Sequence, residues 1–131
     1  MPKLTAAEIH AILERSVTLW FPKSVVQKLH PDMYAMSGWP DTLVIVSGKT
    51  YYVEIKTTDY PSQQQQMVAK KIHESGAEYW CLVYFGEKFY ILDYISFARF
   101  SRKEFTSELK QVASHKGPVI DIREIFKQEE E

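Results

Sequence analysis

Two carboxylates and one amine stand in an otherwise apolar stretch, and their types and spacing point to chemistry. The stretch is GWPDTLVIVSGKTYYVEIK, and its candidate reactive residues are Asp41, Glu54 and Lys56. β-Branched and aromatic residues predict two strands here, Thr42–Val46 and Tyr51–Ile55, joined by a tight turn. Charged groups in a hairpin that is covered on both faces cost several kcal/mol unless they are paired or bind a metal.

The turn predicts how the two strands pair. We expect a type II′ turn whose two-residue loop begins at Gly48. This loop places Asp41 opposite Lys56, and it also places Leu43 opposite Glu54. Because opposed residues share a face and side chains alternate along each strand, we expect the two carboxylates and the amine to converge.

The chemistry that suits this cluster is the binding of a hard cation. Asp41, Glu54 and the backbone carbonyl of Ile55 offer the oxygen ligands that Mg²⁺ or Mn²⁺ prefers. Lys56 would orient or deprotonate a bound water, or stabilise the charge that develops on a phosphate under attack. The pattern predicts metal-assisted phosphodiester hydrolysis. An alternative stays open, in which Asp41 and Lys56 form a structural ion pair and Glu54 faces solvent.

The order of these residues resembles a nuclease signature. Pro40-Asp41, twelve intervening residues and Glu54-Ile55-Lys56 resemble the PD-(D/E)XK motif. The segment Gly38-Trp39-Pro40-Asp41 is similar to the G-x-P-D of the virus-type replication-repair nucleases (VRR-NUC). The segment Ser62-Gln63-Gln64-Gln65, followed by Gly76-Ala77, resembles that family's S-x-x-Q helix, which ends in Gly-Ala before the next strand.

The resemblance covers about residues 38–85, and it implies a fold and an activity. It implies a restriction-endonuclease-like core of the α/β (α+β) class, in which a mixed four- to five-stranded sheet is flanked by helices. It also implies DNA as the substrate and Mg²⁺ or Mn²⁺ as the cofactor. Holliday-junction resolvases of archaea and Gram-positive bacteria share this core, and small phage members resemble junction resolvases that work as homodimers.

Two further residues are candidate catalytic residues. Relatives usually add an acid from the first helix, here predicted over Thr5–Trp20, where Glu8 flanks the apolar stripe and Glu14 faces water. Glu8 also fits a capping box, so a catalytic role and a capping role both stay open. Gln65 is the glutamine of the S-x-x-Q pattern. Its amide could hydrogen-bond a phosphate, a water or Lys56, or be only a polar residue at a helix start.

Basic residues predict where DNA makes contact. A phosphate-contacting surface is predicted at Lys70, Lys71, Lys23 and Lys28, although scattered lysines often serve solubility alone. The chain is nearly neutral, since 16 Lys and Arg stand against 17 Asp and Glu. This balance excludes a general nucleic-acid coat. The four histidines show no metal-binding spacing, and we interpret them as surface residues.

The remaining pattern predicts the elements that position these residues. A helix is predicted over Gln63–Ser75, with Ser62 as its N-cap, Gly76 at its end and Met67 or Val68 in its stripe. Further predictions are one helical turn around Val25–Leu29, strands at Glu78–Phe85 and Phe89–Leu92, a helix over Arg102–Ala113 capped by Ser101, and a short strand at Val119–Ile122.

The sequence as a whole predicts one nuclease-like domain over residues 1–131, with its core motif at 38–92 and an extension at 93–131. Cys81 is the only cysteine, and no signal-peptide or membrane-spanning run is present, so we expect a cytoplasmic protein without disulfides. The leading function is a metal-dependent endonuclease that acts on branched DNA. The alternatives are a restriction-like or exonucleolytic enzyme for linear DNA, and an inactive DNA- or partner-binding module of the same fold.

Overall fold

The structure is a computed structural model, and it describes residues 4–29, 38–57, 60–103, 112–113, 115–116, 118–123 and 125–126. Its helices within these ranges are α1 (Ala6–Trp20), α2 (Gln63–Glu74) and α3 (Tyr94–Ser101). Its strands there are β1 (Val25–Lys28), β2 (Thr42–Val46), β3 (Lys49–Lys56), β4 (Glu78–Phe85), β5 (Lys88–Leu92), β6 (Val112–Ala113), β7 (His115–Lys116) and β8 (Val119–Ile120). In the described part of the chain, no helix is long and apolar enough to cross a membrane.

Six of the described strands form one mixed sheet in the order β1-β2-β3-β4-β5-β6, and β7 pairs with β8 separately. Strands β3 and β4 are parallel, and the other pairings in this sheet are antiparallel. A parallel pair needs a crossover connection, which α2 supplies. The predicted mixed sheet flanked by helices is confirmed, and the two-residue β6 extends it beyond the predicted four or five strands.

Helices cover both faces of the sheet. On one face α1 packs Ile9 and Leu13 against Val53, and on the other α2 and α3 pack around Cys81. Glu54 lies beside Cys81 in the register of β3 and β4, so it points to the face that α2 covers. A carboxyl group therefore enters an apolar layer.

The hairpin of β2 and β3 has a different turn from the predicted one. Its loop residues are Ser47 and Gly48, and their φ angles of 52° and 79° are the pattern of a type I′ turn rather than type II′. Type I′ turns match the right-handed twist of the strands they join. As a result Thr42 pairs with Val53 in the observed register.

The predicted partners are therefore wrong, but the predicted faces are right. Leu43 pairs with Tyr52 instead of Glu54, and the same register continued by one residue places Asp41 opposite Glu54 instead of Lys56. Every partner has moved by two positions, and a shift of two keeps each side chain on its face. The expectation that the two carboxylates and the amine share one face is confirmed.

The segment after α1 is an edge strand, so the helical turn predicted around Val25–Leu29 is wrong. The adjacent β-branched residues Val25 and Val26 favour extended backbone, and the edge of β2 offers them hydrogen-bond partners. The N–H of Leu29 extends this pairing by donating to the backbone oxygen of Asp41 at 2.8 Å. Strand β1 thus fixes the main chain at one of the two carboxylates.

Reciprocal capping boxes begin α1 and α2. Thr5 caps α1 together with Glu8, and Ser62 caps α2 together with Gln65. Gly76 follows the end of α2 with a φ of 91°, the left-handed conformation that favours glycine after a helix. The predicted starts of both helices are confirmed.

The third helix lies earlier in the chain than predicted. It begins after Asp93, whose side chain accepts a hydrogen bond from the N–H of Ser96 at 2.8 Å. Phe97 and Phe100 are buried on its inner side. A helix of eight residues has little more than two turns, so its stability comes from packing rather than from a long periodic pattern.

The helix predicted over Arg102–Ala113 with Ser101 as its cap is wrong where the structure describes it. Ser101 is the last residue of α3, Arg102 and Lys103 form a turn, and residues 112–113 form β6. Residues 104–111 lie outside the described residues.

The segment that follows β7 completes the core under α1. Only part of the predicted strand Val119–Ile122 forms, as β8. The buried apolar residues here are Ile120, Ile122, Ile125 and Phe126, each at most 2% exposed. The buried Ser16 of α1 accepts a hydrogen bond from the N–H of Ile120 at 2.9 Å. The end of the described chain is therefore part of the fold.

We expect Phe126→Ala to lower the free energy of unfolding by about 3–5 kcal/mol. The reason is the cavity that it leaves beside Tyr51, whose ring centroid lies 4.8 Å from that of Phe126. Urea unfolding measures the change. Phe85→Ala is the control. Because Phe85 is 59% exposed, this variant should lower the free energy of unfolding much less. Equal losses in the two variants would contradict this packing.

Candidate active site

Asp41 and Glu54 lie side by side where β2 begins and β3 nears its end. Asp41 precedes β2, and its Oδ2 accepts a hydrogen bond from the N–H of Ile55 at 2.8 Å. Glu54 is only 2% exposed and is hydrogen-bonded to Asp41. A backbone donor therefore orients one carboxylate against the other.

Burial dominates the electrostatics of Glu54. The pKa of its carboxyl is raised to about 10, first by burial and then by the hydrogen bond and charge of Asp41. Lys56 and the Ile55 N–H lower this pKa by smaller amounts. Without a bound cation, the pair therefore holds a proton at neutral pH. Even so, Oε2 of Glu54 is buried without a hydrogen-bond partner.

The wall behind Glu54 is apolar and unreactive. Cys81, its neighbour in β4, is fully buried, and burial together with the charge of Glu54 raises the pKa of this thiol well above its usual value. A neutral thiol is a poor nucleophile and a poor metal ligand. The reactive groups of this layer are therefore the carboxylates and the amine.

The cap of α2 also holds Lys56. The Nζ of Lys56 donates to Oε1 of Gln65 at 3.1 Å, and the N–H of Ser62 donates to the same oxygen at 2.9 Å. The N–H of Gln65 in turn donates to Oγ of Ser62 at 3.1 Å. Among the partners predicted for Gln65, the structure shows the amine of Lys56. One glutamine therefore starts the helix and orients the amine.

Gly38 fits α2 closely to the segment that carries Asp41. A Cβ at Gly38 would lie 2.7 Å from the backbone carbon of Gln64 and 2.9 Å from the backbone nitrogen of Gln65. Gly38 also has a φ of 92°, which other residues rarely adopt. The glycine of the G-x-P-D pattern thus has a physical role, because it lets the start of α2 approach Asp41.

Glu8 is the helix cap in this structure. Its Oε1 accepts a hydrogen bond from the N–H of Thr5 at 3.0 Å, and this bond lowers the pKa of the carboxyl. The side chain is exposed. The structure thus shows the capping alternative. A catalytic role for Glu8 stays a prediction, and it would require this cap to open.

His10 is half-buried on α1, and the charge of Asp41 acts on it, which the interpretation of the histidines as surface residues did not foresee. Its Nε2 is buried without a hydrogen-bond partner. Burial lowers its pKa, Glu14 and Asp41 act in the opposite direction, and Lys28 adds to the lowering. His10 and Glu8 lie about 160° apart around the helix, on opposite edges of its buried stripe. Helical geometry could have identified this edge once β1 was known to lie beside it.

The four predicted DNA-contacting lysines lie in different places. Lys28 pairs with Thr42 at the end of β1 near Asp41. Lys23 precedes the opposite end of β1, towards the Ser47–Gly48 turn. The remaining two, Lys70 and Lys71, are exposed on α2. Each is about 8–9 Å along the helix from Gln65. Of the four, Lys28 is the one whose strand partner, Thr42, directly follows Asp41.

The donor set fits a hard cation with water ligands. The described residues hold no cluster of three or more His, Cys, Asp or Glu side chains in a metal-binding arrangement. Two adjacent carboxylates, one with an unpartnered buried oxygen, are typical of Mg²⁺, which keeps several waters in its coordination shell. A site of this kind can bring a cation, a water and an amine to one phosphate.

We expect Gly38→Ala to destabilise the protein more than Gly76→Ala. Both glycines have nearly the same φ, 92° and 91°, but an added Cβ meets no atom within 4 Å at Gly76. The control, Gly76→Ala, should therefore lower the free energy of unfolding by only about 1–2 kcal/mol, which is the cost of placing alanine in a left-handed backbone conformation. Thermal and urea unfolding measure both variants. Equal destabilisation would show that Gly38 does not hold α2 against the Asp41 segment.

We expect Glu54→Gln to stabilise the metal-free protein increasingly as pH rises. The unfolded chain releases the Glu54 proton near pH 4.5, whereas the folded protein keeps it to about pH 10, so wild-type stability falls through this interval. Glutamine has no proton to lose. The difference should grow by at most about 1.4 kcal/mol per pH unit.

Urea unfolding in EDTA at pH 5 and pH 8 measures this difference. Glu74→Gln makes the same chemical change at an exposed residue and should leave the pH dependence unchanged. The same pH dependence in wild type and Glu54→Gln would mean that Glu54 is not held as a buried acid.

Comparison with known proteins establishes the fold. No family model matches this chain, and no curated protein matches it. Its structure is similar to that of Hjc, a Holliday junction resolvase from the archaeal hyperthermophile Archaeoglobus fulgidus. The TM-score is 0.50 at 15% sequence identity, over 70% of this chain and 76% of that chain. The chain thus has a resolvase-like fold, and the resemblance to VRR-NUC nucleases stays a prediction from its motifs.

Proposed function

We propose that this chain is a metal-dependent DNA endonuclease that hydrolyses phosphodiester bonds in branched DNA such as four-way junctions. The observation that carries the proposal is the buried, unpartnered Oε2 of Glu54 beside Asp41. Such an oxygen destabilises the metal-free fold, because a buried polar atom has lost water without gaining a partner. A divalent cation would supply the missing partner. The alternative, a structural ion pair between Asp41 and Lys56, does not explain why Glu54 is buried with an unpartnered oxygen.

Asp41, Glu54 and the backbone carbonyl of Ile55 are the groups that would hold the cation. A bound Mg²⁺ or Mn²⁺ would supply positive charge at the scissile phosphate and lower the pKa of a bound water. The Ile55 N–H already fixes one oxygen of Asp41, which limits the reorganisation needed on binding. The carboxylates therefore provide a preorganised oxygen site.

Lys56 would act on the water or on the phosphate. Its amine lies on the face of β3 that carries Glu54, and Gln65 holds it by a hydrogen bond of 3.1 Å. From there it can orient or deprotonate the attacking water, or stabilise charge on the phosphate oxygens. Gln65 would be a positioning residue that acts through Lys56.

The proposed substrate rests on the likeness of fold. The similar structure belongs to a protein described as a Holliday junction resolvase. A four-way junction is resolved by cuts in two strands, so a chain with one site would work as a homodimer. The alternative substrates, linear duplex and DNA ends, keep the same chemistry and differ only in the DNA that is cut.

We expect Lys56→Ala to lower the rate of junction cleavage by about 100-fold or more. The loss should appear in kcat, because the amine acts on the reacting groups. The assay compares a labelled four-way junction with linear and closed-circular DNA in Mg²⁺ and in Mn²⁺. Lys49→Ala removes the same charge near the hairpin turn and should keep wild-type activity.

Metal binding separates the roles within the site. Lys56→Ala should bind Mn²⁺ as tightly as wild type, whereas Asp41→Asn should bind it much more weakly. Equal cleavage by wild type and Lys56→Ala would exclude the proposed site. If the wild-type protein cuts linear DNA but not junctions, the assignment of the site stands and the proposed substrate changes to linear DNA.

A further inference from the structure

A groove between α2 and α3 lies close to the candidate site and has no part in the chemistry proposed there. Its volume is about 350 Å³, which is within the size range of small-ligand pockets. Its lining includes the apolar side chain of Met67, the ring of Tyr94 and the amides of Gln63 and Gln66. Met67 is 54% exposed, so Val68 forms the buried stripe of α2 in its place.

The groove opens at the same end of α2 as the candidate site. Gln63 is the first residue of α2 and lies two residues before Gln65, which holds Lys56. Arg102, at the end of α3, lines the groove beside Gln63. A strand that passes the candidate site therefore reaches this groove within about one helix diameter.

An exposed aromatic ring precedes α2 in the chain and contacts the end of α3. Tyr60 follows Lys56 by four residues, is 44% exposed, and packs against Phe100 of α3 with ring centroids 5.0 Å apart. The Nζ of Lys103 lies 5.9 Å from the centre of the Tyr60 ring. Tyr60 thus presents a packed, partly exposed ring with the amine of Lys103 over its face.

The charge of this surface favours an anion. Lys70 and Arg102 line the groove, and none of the described residues that line it is acidic. The amide nitrogen of Gln66 donates to the carbonyl of Pro61 at 3.2 Å, which fixes the orientation of this side chain. Oriented amides next to an apolar floor suit the polar edge and flat face of a nucleobase.

We propose that the groove binds an unpaired nucleotide of the branched DNA substrate. The base enters between α2 and α3, Lys70 and Arg102 contact phosphates, and Tyr60 stacks on the neighbouring base, which takes the place of the Lys103 amine over the ring. A paired base cannot enter such a groove, because its edge and both faces are already engaged in the duplex. This inference rests on the proposed function, which makes DNA the substrate.

Binding without cleavage tests the proposal. Fluorescence anisotropy in EDTA compares forked DNA that has one single-stranded arm with a duplex of equal length. Wild type should prefer the fork. Lys70→Gln/Arg102→Gln should lose affinity for the fork by about fivefold or more, with a salt dependence that falls by about 0.7 per lost phosphate contact. The matched control, Arg15→Gln/Lys49→Gln, removes one arginine and one lysine away from the groove, on α1 and near the hairpin turn, and should bind as wild type does.

A second pair of variants tests the stacking contact. Tyr60→Ala should weaken fork binding by about fivefold or more, and Tyr60→Phe, which keeps the ring, should not. Equal losses for fork and duplex in the charge variant, or no loss in either Lys70→Gln/Arg102→Gln or Tyr60→Ala, would overturn the inference. If wild type prefers the fork but cleaves no DNA in Mg²⁺ or Mn²⁺, the proposed nuclease activity is wrong, whereas the proposed role of the groove is still supported.

Discussion

The burial of Glu54 beside Asp41 is the constraint on which the arrangement of this protein depends. A carboxyl group in an apolar layer is unfavourable, and here it stands in a strand with neighbours on both sides and helices over both faces. The sheet cannot expose this group without breaking its central parallel pair. The protein therefore keeps a destabilising residue where its surroundings are most rigid, which is the arrangement that the proposed cation site would require.

The start of α2 connects this constraint to the remaining candidate groups. The Gly38 backbone lies against Gln64, Ser62 and Gln65 cap the helix, and Gln65 holds Lys56. These contacts use neighbouring atoms of one helical turn. Movement of that turn would therefore shift the amine and the Asp41 segment together, so their relative positions depend on the backbone contact at Gly38 and on the side-chain hydrogen bond from Lys56 to Gln65.

The part of the fold that the sequence predicts is the part that short-range rules govern. Capping boxes at Thr5 and Ser62 mark helix starts, and alternation along a strand puts Glu54 and Lys56 on one face whichever turn closes the hairpin. The observed loop differs from the predicted one because Ser47 enters it with a positive φ of 52°, which composition does not predict for a serine.

The errors arise where distant residues decide the conformation. Val25 and Val26 extend because the edge of β2 is available to them, and α3 forms because Phe97 and Phe100 dock on the layer that α2 shares. His10 was missed for the same reason. Its surroundings include the charges of Asp41 and of Lys28 in β1, a strand that joins the sheet at its edge.

The hydrogen bond from Ile120 to Ser16 spans 104 residues of chain, and it has a consequence for how the protein is made. During synthesis α1 leaves the ribosome well before the residues that complete its core, because about 100 residues of chain separate them. Contacts this distant in sequence form late, because the loop between them must close first. The sheet and the α2 face can assemble while the underside of α1 is still exposed. The nascent chain therefore carries part of an apolar helix face until those residues emerge, and that interval is when aggregation and chaperone binding would compete with folding.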